Sequence, residues 1–489
     1  MKDLWTLLEE HTRSWRALDR QGLADTVWFD YVTARFSRTG DARALEFIYP
    51  YLNRGEPDIR RNAIEVAAQV FHGVGPNAIA ALDYFTQNTD PFLKDRAVRV
   101  VGAAVADWAP KIVLEHLSGY LNHPNQFIQR QTVTAVSRAT FGTGDVAVLS
   151  EIKRLAPACK LRQEEFRLAI ARVFAGRPTE ETYSLVAVPA AEGSWRGTDL
   201  AVGILLRGAS DEWRQRGCRE FFEPRLHRQR QPGDPPYRLW HQFTQRAALE
   251  GLCRAASGKG MEPLRRMLHL RTNTCTLHAL LTCAPECFAG ADVATNRGPL
   301  MELLRSGDVP EQRIAAACLG KLLSASEDQE AVGELRNLAA GARNRSVAAQ
   351  AIGALGSVAR STCDSGLRAL CLKLAGDFQT AAAAIEALGT VFQGSGRGDI
   401  LADIRQHAEA YRHRPAPGRK HFRPLTTCFH AAGLLYQGTG SMEPVGFLLD
   451  ALALRRTRWC PYRWSAGRAL VMIEFPASTI ALTEDQPWI

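Results

Sequence analysis

The chain has 489 residues, of which 46% are hydrophobic and 23% are charged, with a formal net charge of +9. This balance excludes a disordered chain and supplies ample material for a core. No uncharged apolar run approaches the roughly 18 residues of a membrane span, and Glu9 and Glu10 lie where a signal peptide needs an apolar stretch. We therefore expect a soluble cytoplasmic protein whose eleven cysteines are reduced thiols.

The first predicted elements repeat one outline. The stretches EPDIRRNAIEVAAQVF (56–71), DPFLKDRAVRVVGAAV (90–105) and NQFIQRQTVTAVSRAT (125–140) each begin with polar residues and continue into small and branched apolar residues. Their anchors Ile59, Leu93 and Ile128 lie 34 and 35 residues apart. Self-similarity at this period indicates a repeat architecture.

The same outline returns late in the chain. VPEQRIAAACLG (309–320), NRSVAAQAIGALG (344–356) and DFQTAAAAIEALG (377–389) end in Leu-Gly pairs that lie 36 and 33 residues apart, and CPYRWSAGRAL (460–470) is a further copy. Alanine and glycine at corresponding positions allow a neighbouring helix to approach closely. We expect Gly102, Ala354 and Gly356 to lie at such contacts.

This outline resembles the second helix of HEAT repeats, which follows roughly D-P-x-V-R-x-x-A-x-x-A-L-G. Val347, Ala351, Ala354, Leu355 and Gly356 match it closely. The resemblance implies an all-α fold, a right-handed α-solenoid of antiparallel helix pairs, with room for roughly 11–13 pairs. It implies HEAT-like repeats over 1–176, an irregular helical middle over 177–304, and HEAT-like repeats over 305–489.

Two Pro- and Arg-rich stretches interrupt the predicted helices. PRLHRQRQPGDPPYRLW (224–240) should be a long loop, with its adhesive part near 224–238, and YRHRPAPGRKHFRP (411–424) a second insertion. Both should have exposed backbone. SLVAVPA (184–190) is the one short stretch that resembles a strand, so we expect no sheet of consequence.

Catalytic motifs are absent from the sequence, so we expect no enzyme activity and no cofactor. The zinc-protease, P-loop and nucleophile-elbow patterns do not occur. GSGRGD (394–399) follows a predicted helix and not a strand, which favours an inter-repeat loop over a phosphate site. Cys275, His278, Cys283 and Cys287 are weak candidate zinc ligands, because Pro285 separates the last two cysteines and buried thiols are common in helix packing.

The basic charge is concentrated in a few stretches and is almost entirely arginine, with 51 Arg against nine Lys. Residues 455–468 hold five Arg and no acid. Arginine interleaved with aromatic residues suits nucleic acid or an acidic partner, although Arg-on-Trp stacking within the array is the simpler explanation. The candidate contact residues are Arg455, Arg456, Arg458, Arg463, Arg419 and Lys420.

Three functions fit these observations. The favoured one is a non-catalytic scaffold or adaptor that binds a protein partner or a multiprotein complex through the curved surface of the array. The alternative is a basic nucleic-acid binder, at the extreme similar to HEAT-like DNA glycosylases. The interiors of the clear repeats argue against it, since 377–393 contains no Lys or Arg. A HEAT-like bilin lyase subunit is implied by repeat resemblance alone.

Overall fold

The structure is a computed structural model that describes residues 23–52, 57–75, 91–188, 195–226, 240–269, 274–326, 328–412, 422–453 and 461–475. These residues form helices joined by turns, and no strand occurs within them. The predicted all-α fold of stacked antiparallel helix pairs is confirmed. None of the described helices is long and apolar enough to cross a membrane.

First and second helices of the pairs alternate along the chain. The first helices of the pairs are α2 (Arg43–Leu52), α5 (Pro110–Leu121), α7 (Val146–Ala158), α9 (Glu180–Val186), α11 (Asp211–Gly217) with α12 (Glu223–Leu226), α14 (Met261–Met267), α16 (Val293–Ser306), α18 (Gln329–Gly341), α20 (Ser365–Ala375), α22 (Gly398–Arg412) and α24 (Val445–Ala453).

The second helices carry the repeated outline. They are α1 (Leu23–Phe36), α3 (Pro57–Val70), α4 (Pro91–Ala104), α6 (Gln126–Ala139), α8 (Gln163–Val173), α10 (Trp195–Leu206), α13 (Trp240–Ala255), α15 (Thr274–Cys283), α17 (Val309–Leu322), α19 (Arg345–Val358), α21 (Phe378–Val391), α23 (Phe422–Leu435) and α25 (Pro461–Glu474). These thirteen, counted among the described residues, agree with the 11–13 pairs expected from the period.

The contacts divide the chain into two compact units. The first unit comprises residues 1–37, 53–66 and 300–489, and the second comprises 38–52 and 67–299. In the second unit α4, α6, α8, α10, α13 and α15 pack on one another in chain order. In the first unit α17, α19, α21, α23 and α25 do the same, and α1 packs on α25. The predicted three-part division remains a prediction.

Small residues let the second helices approach closely, as the sequence predicts. A Cβ added to Gly102 would lie 2.8 Å from the Ala135 Cβ, and one added to Gly356 would lie 2.7 Å from the Ala387 Cα. Ala354 is buried and lies against Gly320 in the same way. The expected positions of Gly102, Ala354 and Gly356 at tight contacts are therefore confirmed.

Polar residues cap the N-termini of the helices, as expected. Side chains of Asn125, Asn344 and Asp377 accept hydrogen bonds from backbone N–H groups in the first turns of α6, α19 and α21. Asp308 and Glu311 form a reciprocal capping box at the start of α17. Each cap satisfies an N–H group that has no partner within its helix.

Loops with positive φ connect each repeat to the next, and sequence reasoning missed their common role. After most of the second helices, one or two N–H groups of the loop donate to carbonyl groups near the C-terminus of the next second helix, although the loops after α10 and α15 do not. Gly142 N donates to Arg172 O at 2.8 Å, and Gly144 N to Val173 O at 2.8 Å. Gly394 and Gly396 repeat the pattern on Leu434 O and Leu435 O at 3.0 Å.

These bonds satisfy carbonyl groups that a helix end leaves without partners. They also require the left-handed conformation in the loop, since Gly142 and Gly144 both have φ of 69°. The sequence signal is a G-x-G after a second helix, as in 73–75, 142–144, 258–260, 394–396 and 438–440. The prediction that GSGRGD is an inter-repeat loop is confirmed for 394–397, whereas Gly398 and Asp399 begin helix α22. The N–H groups of Gly394 and Gly396 already have acceptors.

One prediction about the middle of the chain is wrong. Residues 224–226 are not loop, because a π-helical segment (Cys218–Phe222) continues into α12, where Arg225 and Leu226 are buried. The strand-like SLV of 184–186 also ends helix α9 and forms no strand. The remainder of the predicted loop, 227–239, and most of the second insertion, 413–421, lie outside the described residues.

Candidate partner-binding face

Most of the predicted contact residues lie outside the described part of the chain. Arg455, Arg456, Arg458, Arg419 and Lys420 fall in 454–460 and 413–421. Arg463 belongs to helix α25, but its side chain is outside the description. Their contact with an acidic partner or nucleic acid therefore remains a prediction.

The four weak candidate zinc ligands lie on α15 and the 3₁₀ turn that follows it. The side chain of Cys275 is outside the description, that of His278 is exposed, and those of Cys283 and Cys287 are half-buried and buried. Burial raises the pKa of the Cys283 thiol to about 11. Among the described residues no three His, Cys, Asp or Glu side chains form a metal-binding group.

Many arginines hold neighbouring repeats together. On the first helices of the first unit, Arg305 bonds Glu330 and Glu334, and each later repeat continues the series through Arg336 with Asp364 and Arg368 with Asp399 and Asp403, at 2.6–2.9 Å. Exposed pairs of this kind each contribute little stability. They nevertheless show that much of the arginine excess is used inside the array.

A buried ion pair lies inside the second unit. Arg225 Nη1 donates to Asp199 Oδ1 at 2.5 Å, and both side chains are almost fully buried. Burial raises the pKa of Asp199 to about 6 despite the lowering effect of Arg225. Nearby, Arg167 Nη1 donates to the Thr198 hydroxyl at 2.8 Å, and the Arg225 guanidinium lies over the Phe221 ring at 4.0 Å. The separation of 26 residues between Arg225 and Asp199 follows no motif that a sequence reading could find.

The exposed surface of α4, α6, α8 and α10, which we call the B-face, carries a different set of charges. Half-exposed residues on these helices recur at intervals of three and four, as in Gln131, Thr134 and Arg138 on α6. Arg99 on α4 and Arg172 on α8 are half-exposed in the same way. Arg99, Arg138 and Arg172 form what we call the arginine row.

The repeat contacts fix the register of this row. Asp107 N bonds Ala139 O, and Gly142 N bonds Arg172 O, so Arg138 and Arg172 lie at the same level of adjacent helices. Gly73 N bonds Ala103 O, which places Arg99 about one turn before that level on α4. Adjacent packed helices lie roughly 8–10 Å apart, a distance that the side chains of arginine can span.

Arg172 is half-buried on this surface. Among the described residues its side chain has no ion pair and no hydrogen bond. Burial, together with the positive charge of Arg99, lowers the pKa of Arg172 to about 10. The stretch 377–393, which includes α21, contains no Lys or Arg, whereas α4, α6 and α8 carry the arginine row.

The corresponding surface in the first unit carries charges of both signs. Glu386 on α21, His430 on α23, Arg468 on α25 and Asp30 on α1 lie on successive second helices. Burial lowers the pKa of His430, Glu386 opposes that shift and Arg468 adds to it. Burial raises the pKa of Asp30 to about 6, and Arg468 opposes that shift. This row contains its own countercharges.

A cavity of about 330 Å³ lies in the second unit between α11, α13 and α14. Its cationic residues have acidic partners in the same wall: Lys259 Nζ lies 3.5 Å from Asp211 Oδ1, and Arg266 lies 2.5 Å from Glu262. Burial raises the pKa of the Cys218 thiol in this cavity to about 11, so the thiol stays protonated at neutral pH. Because these charged side chains are already paired with one another, the cavity offers few further ionic contacts to a charged ligand.

Comparisons with known proteins find solved structures of low sequence identity. No protein-family model matches the chain, and no curated protein matches it. Among solved structures, an importin beta crystallised with ammonium sulfate is 12% identical with a TM-score of 0.35, over 97% of this chain and 67% of that one. The yeast importin-beta Kap95p is 10% identical with a TM-score of 0.37, over 88% and 62%. Kap121p is 12% identical with a TM-score of 0.35, over 86% of this chain and 44% of its own length.

Proposed function

We propose that this chain is a non-catalytic HEAT-like scaffold or adaptor that binds a protein partner through the exposed surface of its second helices. The observation that carries the proposal is that the bonds between repeats are made mostly in the loops and on the first helices, not on the exposed surface of the second helices. Loop N–H groups and first-helix arginines bond neighbouring repeats to one another. The second helices in turn form a continuous series within each unit, which presents an extended surface.

The surface chemistry of the second unit supports a protein partner over nucleic acid. The arginine row provides three cations, whereas affinity for a phosphate backbone grows with the number of phosphates that are neutralised. Half-exposed apolar side chains lie beside the row, namely Leu168 on α8 and Leu200 and Ile204 on α10. Mixed apolar and arginine surfaces are typical of protein interfaces.

The test is affinity purification of the full chain from lysate of its source cells, with and without nuclease. We expect a protein that is retained in fixed ratio after nuclease treatment and that binds the purified chain directly. Retained nucleic acid whose digestion releases every bound protein would contradict the proposal and favour the basic nucleic-acid binder.

A salt titration separates the same two outcomes. Binding to phosphates weakens steeply as salt rises, by roughly one logarithmic unit per logarithmic unit of salt for each phosphate neutralised. An interface of apolar and polar groups loses much less over the same range. The variant Arg455→Ala, Arg456→Ala and Arg458→Ala tests whether the predicted basic stretch takes part in either mode.

A further inference from the structure

We propose that helix α1 is a releasable clasp, which packs on α25 and separates from it while the repeats stay folded. We use the name clasp for the side chains that meet across this contact, which lies within the first unit: Tyr31 and Arg35 on α1, and Glu474 and Phe475 at the end of α25. The inference goes beyond the proposed function and does not depend on which partner the chain binds.

The clasp joins helices that are distant along the chain. The second helices α17, α19, α21, α23 and α25 pack on one another in chain order, whereas α1 packs on α25 with 443 positions between Tyr31 and Glu474. In repeat arrays each unit normally contacts its neighbours in the sequence. Helix α1 thus takes the position beside α25 that the next repeat takes beside each earlier second helix of the unit.

Side-chain hydrogen bonds form the polar part of the clasp. The Tyr31 hydroxyl donates to the Glu474 carboxylate, 2.9 Å from Oε1 and 2.8 Å from Oε2. Arg35 Nη1 donates to the Tyr31 hydroxyl at 3.2 Å and lies 4.0 Å from Glu474 Oε1. Burial and the hydrogen bond to Glu474 raise the pKa of Tyr31, so its hydroxyl remains a donor at neutral pH. Because the side chains of Arg35 and Glu474 are 46% and 33% exposed, salt should weaken their pairing.

Aromatic packing forms the apolar part of the clasp. The buried ring of Tyr31 meets the ring of Phe475 edge to face, with centroids 5.6 Å apart and planes at 67°. Phe475 packs in turn against Leu434 and Met472, which are buried on α23 and α25. When α1 separates, Phe475 is uncovered beside the Glu474 carboxylate. An amphipathic helix with the aromatic and cationic side chains of α1 fits such a surface.

Neighbouring repeats are joined more closely than α1 and α25. A Cβ added to Gly433 on α23 would lie 2.7 Å from the Ala469 Cα on α25, so these two helices approach backbone to backbone. The loop after α23 adds a backbone bond from Gly440 N to Ile473 O at 3.0 Å. Helix α1 contains no glycine and meets α25 through the large side chain of Tyr31. We therefore expect the clasp to open at a lower free energy than the contact between α23 and α25.

Hydrogen exchange of the full chain, measured by mass spectrometry, tests whether the clasp opens on its own. We expect the amides of α1 to exchange faster than those of α19 and α21. Tyr31→Phe and Glu474→Ala should each speed exchange of α1 by about tenfold, because each removes a hydrogen bond to a charged group, and should leave α19 and α21 unchanged. Glu302→Gln, at an exposed position on α16 of the same unit, is the control and should change exchange of α1 by less than about twofold.

The double variant tests whether the two residues act through one bond. Tyr31→Phe with Glu474→Ala should speed exchange of α1 no more than Glu474→Ala alone, because both changes remove the same hydrogen bond. The helix content of each variant, measured by circular dichroism, should equal that of the wild type. Fully additive effects of the two changes would mean that the Tyr31–Glu474 bond does not close the clasp.

A labelled peptide of residues 23–36 tests whether the surface of α25 accepts α1 in trans. Tyr31→Ala with Arg35→Ala weakens the clasp in the full chain, so the peptide should bind this variant at least about tenfold more tightly than the wild type, whose own tethered α1 competes. Adding Glu474→Ala to the same chain should remove the gain, because it deletes the acceptor on α25. Fluorescence anisotropy measures the three affinities.

Three results would overturn the inference. They are exchange of α1 as slow as that of α21, equal exchange of α1 in the wild type and Tyr31→Phe, and peptide binding that is the same in all three chains. Loss of protection in α19 and α21 together with α1 would also overturn it, because α1 would then be an inseparable part of the unit. These results leave the proposed function intact, since affinity purification tests that function separately.

Discussion

Two regions of the second unit place arginine side chains in opposite environments. Between α10 and α12, Arg225 is bonded to the buried carboxylate of Asp199 and stacked on Phe221. On the B-face, Arg172 is half-buried near Arg99, and burial together with that positive charge lowers its pKa to about 10. The first arrangement offsets the desolvation of the arginine by a bonded carboxylate. The contrast predicts that Arg225 stabilises the fold, whereas the charge of Arg172 reduces its stability.

The largest expected effect comes from breaking the compensated pair. Arg225→Met leaves Asp199 buried without its cation, and we expect a loss of about 3 kcal/mol in the free energy of unfolding at neutral pH. Chemical denaturation monitored by circular dichroism measures the change. Arg225→Lys is the control and should lose less, because it keeps the charge. A stability equal to wild type for Arg225→Met would mean that the pair does not support the fold.

Overpacking tests the register on which the arginine row depends. Ala135 lies directly against Gly102, so Ala135→Leu should force α4 and α6 apart and cost about 1–3 kcal/mol. Phe127→Leu, an exposed position on α6, is the control. An unchanged melting curve for Ala135→Leu would show that the assigned register is wrong.

Removing the charge of Arg172 should raise the free energy of unfolding, opposite in sign to the effect of removing Arg225. Arg172→Met keeps most of the side-chain volume and eliminates the desolvated charge, so we expect a gain of about 1–2 kcal/mol in the free energy of unfolding. The same denaturation experiment measures it, with Arg219→Met as the exposed control. Destabilisation by Arg172→Met would indicate that Arg172 supports the fold and would remove the contrast with Arg225.

Asp199 should give the stability a pH dependence. Its pKa in the folded protein is about 6, above the roughly 3.9 of an unfolded chain, so the folded state binds the proton more tightly. Its contribution to stability is complete below about pH 4 and is lost as the pH rises through about 6. Asp199→Asn should therefore reduce the change of stability over this window, by about 2–3 kcal/mol in total. Glu212→Gln, at an exposed position, should leave the slope unchanged.

The sequence by itself determined the architecture, because the repeated contacts are local and recur. The alanine and glycine positions predicted the tight contacts at Gly102 and Gly356, since small residues are the ones that allow close helix approach. Asn344 and Asp377 predicted helix starts through their capping chemistry. The G-x-G loops were also readable in principle, as positive φ favours glycine.

Only the tertiary structure decided which charges meet. The Tyr31 hydroxyl donates to Glu474 at 2.8 Å across 443 residues, where α1 packs on α25. Arg225 bonds Asp199 because the π-helical segment (Cys218–Phe222) continues into helix, at residues where the sequence predicts a Pro- and Arg-rich loop. Arg138 and Arg172 share a level through backbone bonds between repeats. A single sequence states the charge of each residue, but its neighbours, and hence its desolvation and pairing, follow from the register of helices that are distant along the chain.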